Sequence, residues 1–270
     1  MEHSAHPGYT VQPGQSAQPG LSSRLGHGEY IDAAEAELDT IVALVEVGPH
    51  DARVPTCPDY DLFGLARHVG QVCGFWIHLF ADADRRPEPE LVEGDEGDEC
   101  DEPAQQAEWL AGRARHLIAE LRATPAMSPC WTFDPDDHTA GFVARRVAHE
   151  FSIHRVDAQL AVGPANPISA DLARDGIDEL FLLAGLAPVP DAPAAGSTIH
   201  LHSTDADGEW LVALGAAGLE VTHEHAKGDL AIRAAVSDLV LLLNSRPALG
   251  AVEYFGDEQL VEALRTRLVQ

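Results

Sequence analysis

Apolar residues recur at helical spacing up to Leu186, and from Ser197 onward they alternate with polar ones. The first helical stretch runs from Tyr30 to Val47. Pro49 and Pro55 bracket a loop, after which Asp61 is placed to cap a helix opening at Leu62. In that helix Leu65, Val69, Val72 and Trp76 form one stripe, with His68 beside it. A third helix is predicted over Ala104 to Ala123, and a fourth over Thr139 to Val162, stopped by Gly163-Pro164. Four helices of this length point to a bundle with a buried interior. One more helix follows over Ala170 to Leu186. Strands are then predicted at Ser197 to Ser203, Glu209 to Leu214, Gly218 to His225 and Asp229 to Ala235, with turns at Asp207-Gly208 and Ala216 to Gly218. Ser237 is placed to cap a helix through Asn244. Val252 to Gly256 reads as a short strand or turn, and Asp257 caps a last helix over Glu258 to Leu268. The expected fold class is α+β: a disordered tail over residues 1–28, a four-helix bundle over 29–166 and a smaller α+β domain over 167–270.

The fourth helix breaks its own pattern. Steps of three and four residues give Val143, Val147, Glu150, His154, Asp157 and Ala161 along one stripe. Such a stripe normally buries itself against neighbouring helices. A carboxylate and an imidazole there cost several kcal/mol, about the penalty of burying unpaired polar groups, unless they are paired or bound to metal. Glu150-x-x-x-His154 places an oxygen and a nitrogen ligand on one helical face, and His68 is the candidate for a third ligand. Two histidines and a carboxylate leave coordination positions open, an arrangement of the catalytic rather than the closed structural kind. Zinc suits it best, and iron(II) is the other metal that uses this set. Asp157, a further step along, is placed either to orient a ligating histidine from behind or to pair with Arg155 or Arg146 at the surface. The metal-free alternatives are a core His68 bonded to a backbone carbonyl and a structural cluster of Glu150 with Arg146 and His154. His149 points about a third of a turn away from Glu150, by helical geometry, and is not counted as a ligand.

Composition narrows the function classes. The 270 residues carry 44 acidic and 17 basic side chains, a formal charge of -27. Such a surface repels nucleic acid and anionic membranes. No apolar run approaches the roughly 20 residues of a membrane span, and the polar stretch Met1 to Gly28 lacks the apolar core of a secretory signal. The four cysteines, Cys57, Cys73, Cys100 and Cys130, are scattered, which fits reduced thiols in a cytoplasmic protein. None is an obvious nucleophile, and Cys73 falls in a helical core pattern. Leu91 to Glu102 is a long acidic loop without the ligand pattern of a calcium site. In the second domain His200-x-His202 and His223-x-His225 alternate along two strands. If those strands pair, four histidines share the outer, solvent-facing side, with Ile199, Leu201, Leu219 and Val221 on the core side and adventitious metal as the remaining possibility. No phosphate loop, nucleophile elbow or dinucleotide fingerprint is present.

Two signatures resemble a known family. Cys57-Pro-Asp-Tyr-Asp-Leu-Phe-Gly-Leu-Ala-Arg-His68-Val-Gly and Ala148-His-Glu150-Phe-Ser-Ile-His154-Arg-Val-Asp157-Ala are similar to motifs of the mycothiol-dependent maleylpyruvate isomerase family. Asp171 to Leu180 and Leu239 to Arg246 resemble its C-terminal domain, so the likeness spans the chain from about residue 29. Tyr60 and Asp61 stand where the family usually has tryptophan and a hydroxyl residue, and Gly64 replaces a common acidic residue. The resemblance implies a DinB-like metal-binding bundle followed by an SCP2-like α+β domain. It implies a divalent metal, usually zinc, on His68, Glu150 and His154, with mycothiol as cosubstrate and a small electrophile as substrate. Arg246 matches an arginine expected to hold an acidic substrate group, bidentately if the group is a carboxylate. The implied activity is attack of an activated thiolate, ending in cis-trans isomerisation or thiol S-transfer, in a monomer or small homo-oligomer. A non-catalytic bundle that binds a small molecule or partner would carry the same signatures.

Overall fold

The computed structural model describes residues 25–81, 103–186 and 193–268. The acidic loop, Cys100 and nearly all of the expected tail lie outside the described residues. Helices α1 (His27–Val47), α2 (Leu62–Ala81), α3 (Pro103–Ala123) and α4 (Ala140–Val162) form the bundle. In α1 the residues Ile31, Ala34, Leu38, Ile41 and Val45 are buried, the three-and-four spacing of one inward stripe. Asp61 holds the start of α2 by accepting a hydrogen bond from Gly64 N–H at 2.8 Å. Gly70 and Gly74, one turn apart on α2, allow α3 to approach closely. A Cβ on Gly70 would lie 2.0 Å from the Trp109 ring, and one on Gly74 would lie 1.9 Å from the Arg113 guanidinium.

Helix α4 opens at Thr139, whose hydroxyl accepts from Phe142 N–H at 3.3 Å. It is enclosed on all sides over most of its length. One side packs on α1, while the other meets α5 (Ala170–Leu186), which begins the second domain.

That domain is a five-stranded sheet with helices on one face. Strands β1 (Thr198–Ser203), β2 (Glu209–Leu214), β3 (Leu219–Thr222), β4 (Leu230–Ala234) and β5 (Glu253–Gly256) lie in the order β3-β2-β1-β4-β5. β1 and β4 are parallel and the other neighbours antiparallel. Ile199, Leu201, Trp210, Val212, Leu214, Leu230 and Ile232 are buried beneath α5 and α6 (Val236–Leu243), and α7 (Gln259–Leu268) packs on both helices.

Three expectations change here. Ser237 does not cap α6; it lies inside the first turn, and its hydroxyl accepts from Ile168 N–H at 2.9 Å. β3 is shorter than predicted, and it pairs with β2 rather than with β1. His223 does not join the other histidines, because β3 ends at Thr222 and the chain leaves the strand before either His223 or His225. It lies instead 3.4 Å from Asp178 of α5 and beside Trp210.

A buried ion-pair network joins the two domains. Asp175 of α5 accepts hydrogen bonds from Tyr30 of α1 at 2.6 Å, and from Arg145 at 2.8 Å and His149 at 2.8 Å, both of α4. All four side chains are buried. Burial by itself would raise the Asp175 carboxyl. The hydrogen bonds from His149 and Arg145 outweigh it and hold the group well below its ordinary value of 3.8. A depressed folded value means that the stabilisation is fully present above pH 3.8 and is lost as the pH falls below it. Asp175→Asn leaves Arg145 buried without its counter-charge and should cost about 3–5 kcal/mol at neutral pH. Urea unfolding of both proteins should show that difference shrinking as the pH is lowered below 3.8.

Candidate metal centre

The break in the α4 stripe faces a matching break in α2. Glu150 and His154 stand one turn apart on α4, and His68 reaches them from α2. His68 Nε2 lies 3.2 Å from His154 Nε2, His154 Nε2 lies 3.2 Å from Glu150 Oε1, and His68 Nε2 lies 3.9 Å from the same oxygen. Ligands around a tetrahedral zinc with bonds of about 2.0–2.1 Å stand about 3.3 Å apart. The triangle has that size, and its two nitrogens and one oxygen are a zinc donor set. His68 is half-buried with Tyr60 stacked on its ring at 5.8 Å, and among the described residues no backbone carbonyl holds the atom facing His154.

Two of the three donors are held from behind. Asp157 Oδ2 lies 3.1 Å from Nδ1 of His154, so Nδ1 carries the proton and the lone pair of Nε2 faces the triangle whenever the ring is neutral. Arg146 donates to Oε2 of Glu150 and also to Glu179 of α5, leaving Oε1 of Glu150 toward the histidines. Burial would raise the Glu150 carboxyl, but the Arg146 charge and the hydrogen bonds from His154 and His68 hold it well below the usual range. Burial would lower His154, yet its bonds to Asp157 and Glu150 push it up to about 9. Without a cation, then, the site keeps a proton on His154 between two carboxylates.

Asp157 has no exposed surface. It does not pair with Arg155, which instead binds Glu37 at 2.6 Å. Its partner is Arg246, which follows α6 and donates from Nε at 3.1 Å and from Nη2 at 2.8 Å. Thr56 adds a hydroxyl donor at 2.6 Å. Burial would raise Asp157 too, but the His154 and Arg246 hydrogen bonds keep it well below its ordinary value. The forked edge of Arg246 is thus turned to Asp157, while Nη1 binds Asn244 O at 2.8 Å. Cys57 sits 3.4 Å from Arg246, but burial and then the Asp157 charge push its thiol up, so it stays protonated.

Two cavities meet at Glu150, Arg146 and Phe133. One of about 250 Å³ is lined by His68, Gln71, Val72, Phe75, Trp76 and Phe133. The other, about 440 Å³, opens between bundle and second domain, with Asn244, Ser245 and Arg246 against Leu180, Leu183 and Leu243. Thr56, Tyr60 and Phe133 were not singled out by spacing.

Residues 31–159 match the mycothiol maleylpyruvate isomerase N-terminal domain. That match covers the bundle, just under half of the chain. A likeness of fold to solved structures extends through the second domain as well. The crystal structure of the mycothiol-dependent maleylpyruvate isomerase superposes with a TM-score of 0.60 at 15% identity, over 85% of this chain and 93% of that one. A histidine-to-alanine mutant of the mycothiol-dependent maleylpyruvate isomerase gives 0.54 at 13% identity, over 81% and 88%. At these identities the likeness is one of fold. No curated protein matches the sequence.

Arg246 ties the second domain to the floor of the bundle site. Arg246→Ala should destabilise the protein by about 3–5 kcal/mol, because Asp157 is left buried beside one fewer cation. Arg246→Lys should recover only part of the loss, since an ammonium cannot fork across both oxygens. Thermal or urea unfolding of the two variants checks the order.

Proposed function

We propose that this chain is a divalent-metal-dependent enzyme that uses mycothiol to attack an electrophilic small molecule, the outcome being cis-trans isomerisation or thiol S-transfer. The observation that carries the reading is the His68, Glu150 and His154 triangle, sized for a metal ion and standing at the junction of two cavities. These three side chains would hold the metal, with zinc favoured by two imidazoles and one carboxylate. A bound divalent cation supplies one thing here, the stabilisation of a thiolate at neutral pH.

The remaining chemistry belongs to the chain's own groups. Asp157 keeps the His154 ring oriented, and Arg146 keeps Glu150 from turning away. The amide of Asn244 and the hydroxyl of Ser245 offer hydrogen bonds to a polar thiol in the larger cavity. Phe75, Trp76 and Phe133 wall the smaller one, exclude water and leave an apolar slot for a conjugated electrophile. Thiolate addition to a conjugated cis double bond leaves a single bond that can rotate, and elimination then returns the thiol and the trans product. Release of the adduct before elimination gives the transferase outcome. Arg246 holds Asp157, so its part in this scheme is first a positioning one; with Nη1 on Asn244 O and Nη2 also beside Cys57 Sγ, an acidic substrate group in the cavity would compete for its remaining donors. The free Cys57, Cys73 and Cys130 accord with a cytoplasmic location, and no described helix is long and apolar enough to cross a membrane.

Elemental analysis and a thiol-consumption assay test the proposal. With mycothiol and a panel of conjugated electrophiles, the wild-type protein should consume thiol or isomerise substrate, and chelation should abolish the activity. His68→Ala should lose the metal of this site and at least about 100-fold in rate, the scale of losing an electrostatic catalytic contact. Unchanged metal content and unchanged rate in His68→Ala would sink the reading.

A further inference from the structure

We propose that His200, His202, Glu209 and His225 form a second divalent-metal site, on the sheet face opposite the helices. His200 and His202 alternate along β1, and Glu209 stands across from His202 on β2. His225 comes from the connection between β3 and β4. Glu209 Oε1 lies 2.5 Å from His202 Nδ1 and 3.0 Å from His225 Nδ1, while Oε2 contacts His200 Nε2. One ligand atom from each residue lies within 4.8 Å of all the others. His200 is buried although it faces away from the core, with the His225 ring packed edge-on against it at 5.0 Å.

A carboxylate has about four acceptor positions, and ordinary N–H donors would fill them without gathering three imidazoles. Three imidazoles each aiming a ring nitrogen at the same carboxylate are instead a nitrogen-rich cage of the size one cation fills. Arg233, opposite His202 on β4, is engaged with Glu253 at 3.3 Å. Three imidazoles and a carboxylate suit zinc, and imidazole also accepts nickel, cobalt or copper. Four protein ligands leave no open position, so the site is structural in kind, unlike the three-donor centre in the bundle. Its effect would be mechanical. Residues 223–228 form no helix or strand, and a metal on His225 would fasten them to the β1–β2 hairpin. The strong negative charge of the chain raises the local concentration of cations around it.

The test uses the untagged full-length chain, equilibrated with zinc and desalted. Wild type should retain a zinc equivalent that the His202→Ala, His225→Ala double variant lacks, and Glu209→Gln should lose it as well. His68→Ala should keep this equivalent while losing the bundle metal, so failure of either site is read separately. Zinc should also slow amide exchange over residues 223–228 in wild type and His68→Ala but not in the double variant. Equal zinc retention by wild type, the double variant and Glu209→Gln would overturn the proposal, as would exchange over 223–228 that zinc leaves unchanged in wild type.

Discussion

Helix α4 has almost no contact with water, yet between Arg145 and Asp157 it carries Arg145, Arg146, His149, Glu150, His154, Arg155 and Asp157. An ionisable group without solvent must find its counterpart inside the protein, or it costs several kcal/mol. Each of these does. Arg155 turns to Glu37 on α1, within the bundle. The others are answered largely from the second domain: Asp175 takes Arg145 and His149, Glu179 takes Arg146, and Arg246 takes Asp157. Docking of the two domains is therefore an electrostatic requirement of one helix. The site inherits its rigidity from that arrangement, because Asp157 and Arg146 both touch a candidate ligand with one atom and the second domain with another.

The same arrangement explains the division between the two cavities. Glu150 and Arg146 line both, so a group held in one cavity lies next to the donors that a group in the other would meet. The aromatic walls belong to α2 and to the loop before α4, whereas the polar groups of the larger cavity follow α6. A change of substrate along the lineage could alter one wall and leave the other intact. The family match covers only the bundle, and its fold likeness to the isomerase extends over both domains.

Helix boundaries were readable to within a few residues because apolar spacing and caps agree along α1, α2, α4 and α5. Glu150 and His154 stood out for the same reason, as polar breaks in an apolar stripe. His68 was visible only as a histidine inside a helical pattern, and its approach to α4 depends on how α2 packs. Spacing could not reveal the double attachment of Arg146, or Thr56 reaching Asp157 from 101 residues away, since both are products of tertiary approach. In the sheet, alternation by itself could not separate His223 from His225, because β3 ends at Thr222 before either. It takes the pairing of β2 between β1 and β3 to bring Glu209, rather than His223, among the other histidines. Ser237 looked like a cap because serine favours that position, but the cap position falls two residues earlier, at Ala235, and the hydroxyl serves Ile168 instead.

Arg246 lies 89 residues after Asp157. A ribosome adding about 5–20 residues per second finishes α4 some 5–20 s before that arginine exists. During that interval the emerging bundle holds Asp157 with no Arg246 guanidinium to meet it. Water must stay in the seam until the C-terminal third arrives. The nascent bundle is thus kept from closing over its own polar residues too early, and the order of synthesis makes the last domain the one that seals the first.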